Sequence, residues 1–217
     1  CKLNYLNMII GVVDNGSTDS SVEFVVQNFP NVHIICNKKN VGYTGAANTL
    51  IKFAMNVRAE YVFILTSDML VDHRVVKYAV QVAQRDDRIG IVGFHLFGKH
   101  RYEPVSDFEM ACSKWKRLEV VGDDNIDGAA MFVRTDLFKE IGLFDDVYFM
   151  YGEESDLQFR AKEAGYRFVR INLPVWHNAG DPNAQVSLRT SWLSTRNEIR
   201  YYMKHHGLAR GLQAAKS

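Results

Sequence analysis

The chain has 217 residues, of which 47% are hydrophobic and 24% are charged, and its formal net charge is +1. This is enough to bury a substantial core, and we expect one globular domain. The near-neutral charge lacks the basic field typical of nucleic-acid binding, so no nucleic-acid partner is expected. No apolar run approaches the roughly 20 residues that span a bilayer, and no secretory signal is evident, which favours a cytoplasmic location.

Three cysteines lie at Cys1, Cys36 and Cys112. Their odd number and the lack of a CxxC pair argue against a disulfide framework and favour a reducing compartment. The chain starts at Cys1 rather than at methionine, as a fragment would.

Apolar runs typical of strands alternate with segments of helical periodicity. Strands are predicted at 8–13, 32–36, 61–65, 89–94, 129–133 and 166–171. Helices are predicted within 19–29, 44–55 and 73–84 and from residue 153 onward. This alternation predicts an α/β fold with a mostly parallel sheet covered by helices.

Two helix ends carry cap signals. Ser20 followed by Glu23 predicts a capping box at the start of the first helix. Gly165 is predicted to end the helix that starts at residue 153.

Two aspartates stand where predicted strands end. Asp14 follows the first run and Asp68 follows the third. Ligands of parallel sheets bind beyond the carboxyl ends of the strands, so we expect both aspartates to open onto one crevice. A turn or cap role is the alternative for each, and the stretch DNGSTD at 14–19 is rich in turn formers.

Six stretches in chain order carry a resemblance to a known family. They read VVDNGSTDSS (12–21), NKKNVGYTGAAN (37–48), LTSDMLVD (65–72), DGAAMFVRTDLFKEIGLFDD (127–146), YGEESDLQFRAKEAGYRFV (151–169) and VWHNAG (175–180). Together they resemble the ordered motifs of family 2 glycosyltransferases, and most of all the bacterial rhamnosyltransferase-like branch. The stretch 195–207 resembles the C-terminal helix of that branch.

The resemblance implies a GT-A fold with a nucleotide-binding half at about 1–98, an acceptor half at about 99–190 and a C-terminal basic helix at about 191–217. It implies inverting transfer of a hexosyl group from a UDP- or dTDP-sugar to a hydroxyl of a glycan or lipid-linked acceptor, as in polysaccharide biosynthesis. Family members open with a further strand and helix, whereas only CKLNYLN precedes Met8 here. The N-terminal strand is therefore expected to be missing.

A divalent cation, Mg²⁺ or Mn²⁺, is expected to neutralise the departing diphosphate, because hard cations prefer carboxylate and phosphate oxygens. The family carries a D-x-D or N-x-D pattern at this point, and here the residues are Thr66, Ser67 and Asp68. The resemblance therefore implies Asp68 as a metal and diphosphate ligand, with His177 as the second metal contact. A structural role beside Trp176 is the alternative for this histidine.

The resemblance assigns nucleoside recognition to Asp14, whose carboxylate can accept the N3 hydrogen of uracil or thymine. Ser17 and Asn48 match family positions near the nucleotide, with plain turn and helix roles as alternatives. Neither GxGxxG nor GxxxxGK[ST] occurs, which disfavours dinucleotide oxidoreductases and P-loop enzymes.

Three carboxylates crowd the start of the fourth predicted helix, at Glu153, Glu154 and Asp156. Helix amides favour negative charge there, which accounts for one or two of them. The resemblance aligns Glu154 with the general base, where the family has aspartate, and we expect Glu153 to assist it. Asp156 is expected to cap the helix or to pair with a basic residue such as Arg160.

The stretch 127–133 resembles the family segment that leads into the acceptor side of the site, and sugar contacts are expected from Gly128, Ala129 and Tyr151. Small residues at 128 and 129 would let a sugar approach closely, and the start of a small-residue strand is an equally good interpretation. Tyr151 lies in an aromatic cluster with Tyr148 and Phe149, for which a place in the core is the simpler interpretation.

The C-terminal segment is basic, with Arg196, Arg200, Lys204 and Arg210 against Glu198. Such a helix could contact anionic lipid peripherally or an acceptor's diphosphate, and a solvated face is the simpler interpretation. Two other classes stay open for the whole chain: an inactive or sugar-binding remnant of a glycosyltransferase, and a nucleotidyltransferase.

Overall fold

A computed structural model of the protein describes residues 3, 5–97, 105–122, 125–177 and 187–215. Its strands are β1 (Gly11–Asp14), β2 (His33–Cys36), β3 (Tyr61–Leu65), β4 (Met69–Val71), β5 (Ile89–Phe97), β6 (Val120–Gly122), β7 (Ala130–Arg134) and β8 (Arg167–His177). Its helices are α1 (Ser21–Asn28), α2 (Gly42–Asn56), α3 (Val75–Ala83), α4 (Val105–Lys114), α5 (Thr135–Ile141), α6 (Glu153–Glu163), α7 (Leu188–His206) and α8 (Leu208–Ala214). In these described ranges no helix is both long and apolar enough to cross a bilayer.

The chain forms two compact units whose segments alternate along the sequence. The sheet unit consists of Cys1–Tyr5, Glu60–Ile141 and Gln158–Ser187. The helical unit consists of Leu6–Ala59, Gly142–Leu157 and Leu188–Ser217. The expected division into halves near residue 98 stays a prediction.

The sheet unit contains strands in the order β3-β7-β5-β8-β4, with β6 also paired to β8. Strands β5 and β8 run parallel, whereas the pairs β3–β7, β5–β7, β4–β8 and β6–β8 are antiparallel. The predicted α/β class is confirmed, and the predicted mostly parallel sheet is corrected to a mixed one. The reason is that strands buried on both faces have similar apolar runs in either direction.

The core of the sheet unit lies around its three central strands. Ile91, Val133 and Ile171, one from each of β5, β7 and β8, are fully buried. Helix α3 adds the face that its periodicity predicts, with Val76, Ala79, Val80 and Ala83 all buried. Each large apolar side chain buried in this way contributes roughly 1.5–3 kcal/mol to the stability of the fold. These contacts hold in place the strands that carry the residues at the edge of the sheet.

The helical unit contains the parallel pair β1–β2 beside α2, whose Ala47 and Ile51 are buried. Helix α1 has no buried residue, and its Phe24 is more than half exposed. The predicted capping box is wrong: Ser20 is the N-cap residue but makes no side-chain cap bond. Instead, Asp19 Oδ1 accepts the Ser21 amide at 3.1 Å, which ties the turn together just before the helix.

Two further helix ends depend on glycines with positive φ. Gly165 has φ +81° and follows α6, where the Tyr166 amide donates to Ala161 O at 2.9 Å and the Gly165 amide to Lys162 O at 3.0 Å. This Schellman pattern confirms the predicted cap. Gly207, with φ +84°, interrupts the basic C-terminal segment, so the predicted single helix is instead α7 followed by α8.

Candidate active site

The sheet unit brings Asp68 and His177 together. Strand β4 pairs with β8 so that Met69 lies opposite His177, which sets the preceding Asp68 beside the histidine. The two side chains approach to 3.3 Å between His177 Nε2 and Asp68 Oδ2. Asp68 is 40% exposed and His177 is 16% exposed, so a ligand can reach the carboxylate.

These two side chains suit a hard divalent cation that also takes ligands from a bound diphosphate. Among the described residues, no group of three or more His, Cys, Asp or Glu side chains could hold a metal ion. The buried Nδ1 atom of His177 has no hydrogen-bond partner within the described residues. Of the described residues, Asp68 and His177 thus offer one carboxylate and one imidazole to a metal ion here.

Residues Gly128 and Ala129 lie at the same sheet edge. Leu65 at the end of β3 pairs with Ala130 at the start of β7, and the Thr66 amide donates to Ala129 O at 3.1 Å. Gly128 is buried and Ala129 is half-buried. The segment that the resemblance links to a sugar therefore lies next to the strand end that leads to Asp68.

A cavity of about 420 Å³ opens beside this segment. Its lining combines apolar side chains with polar ones: Phe94, His95, Leu96, Asn125, Ile126, Asp127, Ala130 and Arg170. Its volume falls in the range of small-molecule sites, while its lining is more polar than is usual for them.

The loop after β1 belongs to the helical unit. Asp14 Oδ2 accepts the amides of Gly16 and Ser17 at 3.1 Å each. The hydrogen bond from the Ser17 hydroxyl is the largest of the contacts that lower the pKa of Asp14. The turn role proposed as an alternative is therefore present, and nucleoside recognition by Asp14 and Ser17 stays a prediction.

Asn15 joins this loop to the loop before α2, a role that the sequence analysis missed. Its amide nitrogen donates to Asn40 Oδ1 and Gly42 O at 3.1 Å each. Its Oδ1 accepts the Val41 amide at 3.1 Å and Asn37 Nδ2 at 3.2 Å. The Asn15 side chain therefore connects two loops that belong to the family motifs quoted above. The only sign of this role in the sequence was an asparagine in a turn-rich stretch.

Asn48 is buried on α2, and its amide group is largely used within the helical unit. Its Nδ2 donates to Phe144 O at 2.9 Å and to Asp146 Oδ1 at 2.8 Å, while its Oδ1 accepts the Phe144 amide at 3.1 Å. A nucleotide contact through Asn48 stays a prediction, and this geometry favours a structural role.

The carboxylates at the start of α6 differ in environment. Glu153 is 5% exposed, and its Oε2 has no hydrogen-bond partner within the described part of the chain. Burial and the neighbouring charge of Glu154 raise the pKa of Glu153 to about 7. Glu154 is half-buried and therefore reachable by a ligand. The pair thus combines one accessible carboxylate with one buried group that holds its proton near neutral pH.

The aromatic cluster before α6 is divided between core and surface. Tyr148 is fully buried, as the core interpretation expects, whereas Tyr151 is 39% exposed. Phe149 and Tyr151 have φ values of +62° and +72°, a conformation that is costly for residues other than glycine. Tyr151 is therefore exposed beside a buried Tyr148, and a sugar contact through Tyr151 stays a prediction.

Basic side chains of α7 contact the segment that leads into α6. Arg200 Nη1 donates to Val147 O at 2.8 Å, and Lys204 Nζ lies 2.8 Å from Asp145 Oδ2. Lys204 and His205 also contact the fully buried Asp156, at 2.6 and 2.8 Å from its Oδ1. Much of the basic face is therefore engaged inside the helical unit, so lipid contact through it stays a prediction.

Asp156 has the basic partners that were expected for it, and two of them lie on a later helix. The structure pairs Asp156 with Lys204 and His205, while Arg160 donates from Nη1 to Ile141 O at 2.6 Å. A pair between Asp156 and Arg160 stays a prediction, whereas spacing along one helix gave no information about charges on a helix that follows much later in the chain.

The chain is similar in sequence and in fold to several known proteins. Over 230 aligned residues, 90% of this chain and 71% of the relative, the chain is 25% identical to N-acetylglucosaminyl-diphospho-decaprenol L-rhamnosyltransferase of Mycobacterium tuberculosis. The Staphylococcus aureus TarS fragment 1–349, crystallised with UDP, matches with a TM-score of 0.60 and 19% identity. The mannosyltransferase PcManGT of Pyrobaculum calidifontis, crystallised with GDP-Man and Mn²⁺, matches with a TM-score of 0.63 and 16% identity.

These solved structures share the GT-A fold, which confirms the predicted fold class. The chain is covered to 99% and 96% by the two matches but spans only 62% and 63% of those proteins. The model of the family described as Glycosyl transferase family 2 matches residues 1–141. The chain therefore belongs to glycosyl transferase family 2.

Proposed function

We propose that this glycosyltransferase moves a hexosyl group, with inversion, from a UDP- or dTDP-sugar to a hydroxyl of a glycan or lipid-linked acceptor. The observation that carries the proposal is the pair at the start of α6, where an accessible Glu154 adjoins a buried Glu153 whose pKa is raised to about 7. Perturbed carboxylates of this kind are typical of sites that move protons.

In this proposal the acceptor oxygen attacks the anomeric carbon while the bond from that carbon to the nucleoside diphosphate breaks. Glu154 takes the proton of the attacking hydroxyl, and the diphosphate leaves with the bonding electrons. A single displacement of this kind inverts the anomeric configuration. Glu153, whose pKa is raised to about 7, is protonated in about half of the molecules at neutral pH and then adds no second negative charge beside the base.

The donor end of the reaction is proposed to use Asp14 and Ser17 at the nucleoside and Asp68 at the diphosphate. Asp68 and His177 would hold Mg²⁺ or Mn²⁺, whose charge stabilises the leaving diphosphate. The fit rests on the 3.3 Å approach of these two side chains and on the exposure of the carboxylate. Cocrystallisation of PcManGT with GDP-Man and Mn²⁺ supports a divalent cation in this fold.

The acceptor is proposed to be a sugar linked through diphosphate to a polyprenyl lipid. The relative from Mycobacterium tuberculosis is named for such an acceptor, and the alignment with it spans 90% of this chain. Gly128 and Ala129 lie beside a cavity of about 420 Å³, and Tyr151 offers an exposed ring on which a sugar can stack.

The test measures nucleoside diphosphate released from UDP- and dTDP-sugars, with a polyprenyl-diphosphate-linked N-acetylglucosamine as acceptor and Mn²⁺ present. We expect acceptor-dependent release that falls at least about 100-fold in Glu154→Gln, because loss of a general base costs about that much. Donor binding without release would instead support a sugar-binding remnant. Pyrophosphate release from a nucleoside triphosphate would support a nucleotidyltransferase.

A further inference from the structure

The loop of residues 147–152 has an unusual arrangement of backbone hydrogen bonds. Each of its six carbonyl groups accepts at least one hydrogen bond. The amide of Thr44 on α2 donates to Phe149 O at 3.2 Å, and the amide of Asp156 donates to Gly152 O at 3.0 Å. The carbonyls of the other four residues accept from side chains of α7. Helix α7 therefore supplies most of the hydrogen-bond donors for the carbonyl groups of this loop.

Asn197 supplies most of these contacts. Its Nδ2 lies 2.8 Å from Tyr148 O, 2.9 Å from Met150 O and 2.7 Å from Tyr151 O. The residue is fully buried. An amide nitrogen has two hydrogens, so one of them is shared between two carbonyls. Aspartate has the same shape but donates nothing when it is ionised, so asparagine is required for this contact.

Arg196 fixes the orientation of that amide. Its Nε and Nη2 donate to Asn197 Oδ1 at 3.0 and 2.8 Å, and Nη2 also donates to Tyr148 O at 3.2 Å. With its oxygen held in this way, the Asn197 amide presents its NH₂ group to the loop. The guanidinium lies 4.7 Å from the ring of Trp192, which supports it from the other side.

The loop needs such support because its backbone is strained. Phe149 at φ +62° and Tyr151 at φ +72° each occupy the left-handed region, a conformation that is costly for residues other than glycine. The adjoining α2 leaves little freedom, since a Cβ on Gly42 would lie 2.3 Å from Phe149 O. Without Asn197, the carbonyls of Met150 and Tyr151 would lose their donor and Tyr148 O would keep only Arg196 and the Met150 amide, so the loop could relax to commoner backbone angles.

We propose that Asn197 is a positioning residue that fixes the 147–152 loop and, through it, the orientation of Glu153 and Glu154. The inference rests on the proposed function of Glu154 as base. The connection is short: Gly152 O accepts the first hydrogen bond of α6, from Asp156, so a shift of the loop moves the first turn that carries both glutamates. Asn197 contacts this loop through main-chain carbonyls and acts only through the loop.

The test compares Asn197→Asp and Asn197→Ala with the wild-type chain in the transfer assay. We expect kcat to fall about 10- to 100-fold while the dissociation constant of the donor changes less than about twofold, since misplacing a reacting group by about 1 Å costs this much. Asn172→Ala is the matched control. Asn172 also makes three side-chain hydrogen bonds, to Trp115 Nε1, the Glu119 amide and Arg117 O, in the sheet unit. Its loss should leave kcat unchanged.

A double-mutant cycle separates positioning from general loss of structure. If Asn197 acts through Glu154, then Asn197→Ala combined with Glu154→Gln is no slower than Glu154→Gln alone. An additive loss, or a wild-type kcat in Asn197→Ala, overturns the inference. Should Asn197→Ala fail to fold, Arg196→Lys weakens the same amide and is expected to lower kcat at least about threefold.

Amide hydrogen exchange distinguishes failure of this inference from failure of the proposed function. Exchange of residues 148–154 is expected to rise at least about tenfold in Asn197→Ala and to stay unchanged in Asn172→Ala. Faster exchange together with wild-type turnover of Glu154→Gln would refute the base and leave the loop contact standing. Unchanged exchange would overturn the positioning role, whatever Glu154 does.

Discussion

Two regions of the molecule differ in how firmly their own contacts hold the candidate functional side chains. In the helical unit, the loop before α6 has a donor for each carbonyl, and Glu153 behind it is 5% exposed. In the sheet unit, Asp68 and His177 meet at 3.3 Å, and Asp68 is 40% exposed. One region is fixed by many intramolecular contacts, and the other offers two side chains to whatever binds.

This difference follows from what each region is proposed to do. A general base must be held to within a fraction of an ångström by the protein itself, because nothing else orients it. A cation on a diphosphate receives most of its ligands from phosphate and water, so the protein needs to supply few. We infer that the start of α6, which carries the proposed base, is preorganised in the free protein. The proposed metal site at Asp68 and His177 is instead completed by the donor.

The largest effect should come from the base. Glu154→Gln keeps the size of the side chain and removes its ability to take a proton, so turnover should fall at least about 100-fold. Steady-state release of nucleoside diphosphate measures it. Glu163→Gln is the same change at an exposed position of the same helix and should keep wild-type turnover. Near wild-type turnover in Glu154→Gln would remove Glu154 from the mechanism.

Breaking the ion pair between Lys204 and the buried Asp156 should markedly lower the free energy of unfolding. Lys204→Met removes the ammonium that lies 2.6 Å from Oδ1 of the fully buried Asp156, while His205 stays at 2.8 Å, and should lower the free energy of unfolding by about 3 kcal/mol. Lys139→Met is the matched control, because Lys139 pairs with Asp136 at 2.7 Å where both side chains are largely exposed. That pair should contribute less than about 0.5 kcal/mol. Equal losses in denaturant unfolding would show that Asp156 is not confined as described.

A smaller effect should appear in the pH dependence of stability. Burial and the charge of Glu154 raise the pKa of Glu153 to about 7 from the ordinary glutamate value of 4.5. The folded chain therefore keeps this proton after the unfolded chain has lost it, so stability falls as pH rises from about 4.5 to 7 and levels off above that range. Glu153→Gln removes this slope.

The stability of Glu153→Gln relative to wild type should therefore increase by about 2 kcal/mol between pH 5 and pH 8. Denaturant unfolding at both pH values measures the difference, with Glu163→Gln as the exposed control. A parallel pH dependence of Glu153→Gln and wild type would contradict a raised pKa at Glu153.

The sequence predicted those features that depend on local pattern. Strand β3 has the predicted bounds, α3 buries the predicted face, and Gly165 caps α6 as expected. The meeting of Asp68 and His177 followed from the family resemblance, since more than 100 residues separate them. Hydrophobic periodicity and sequence motifs can both be recognised in a single sequence.

The features that depend on distant contacts were not predicted. Asn197 contacts carbonyls 46 to 49 residues earlier in the chain, and the stretch TRNEIR offers no sign of that partner. Strand direction in the sheet unit was also missed, because buried apolar runs do not encode it. The division of the aromatic cluster into a buried Tyr148 and an exposed Tyr151 depends on two positive φ angles, which side-chain pattern does not reveal.

The contrast between the two regions is tested most directly by thermal unfolding of wild type and Asp68→Asn with UDP or dTDP, with Mn²⁺, and with both together. The account predicts that nucleotide and Mn²⁺ together stabilise the wild type by roughly 2.7 kcal/mol at 100 times the dissociation constant, that either alone does far less, and that Asp68→Asn loses the joint effect. Full stabilisation by Mn²⁺ alone, or an equal joint effect in Asp68→Asn, would contradict a metal site that the donor completes at Asp68.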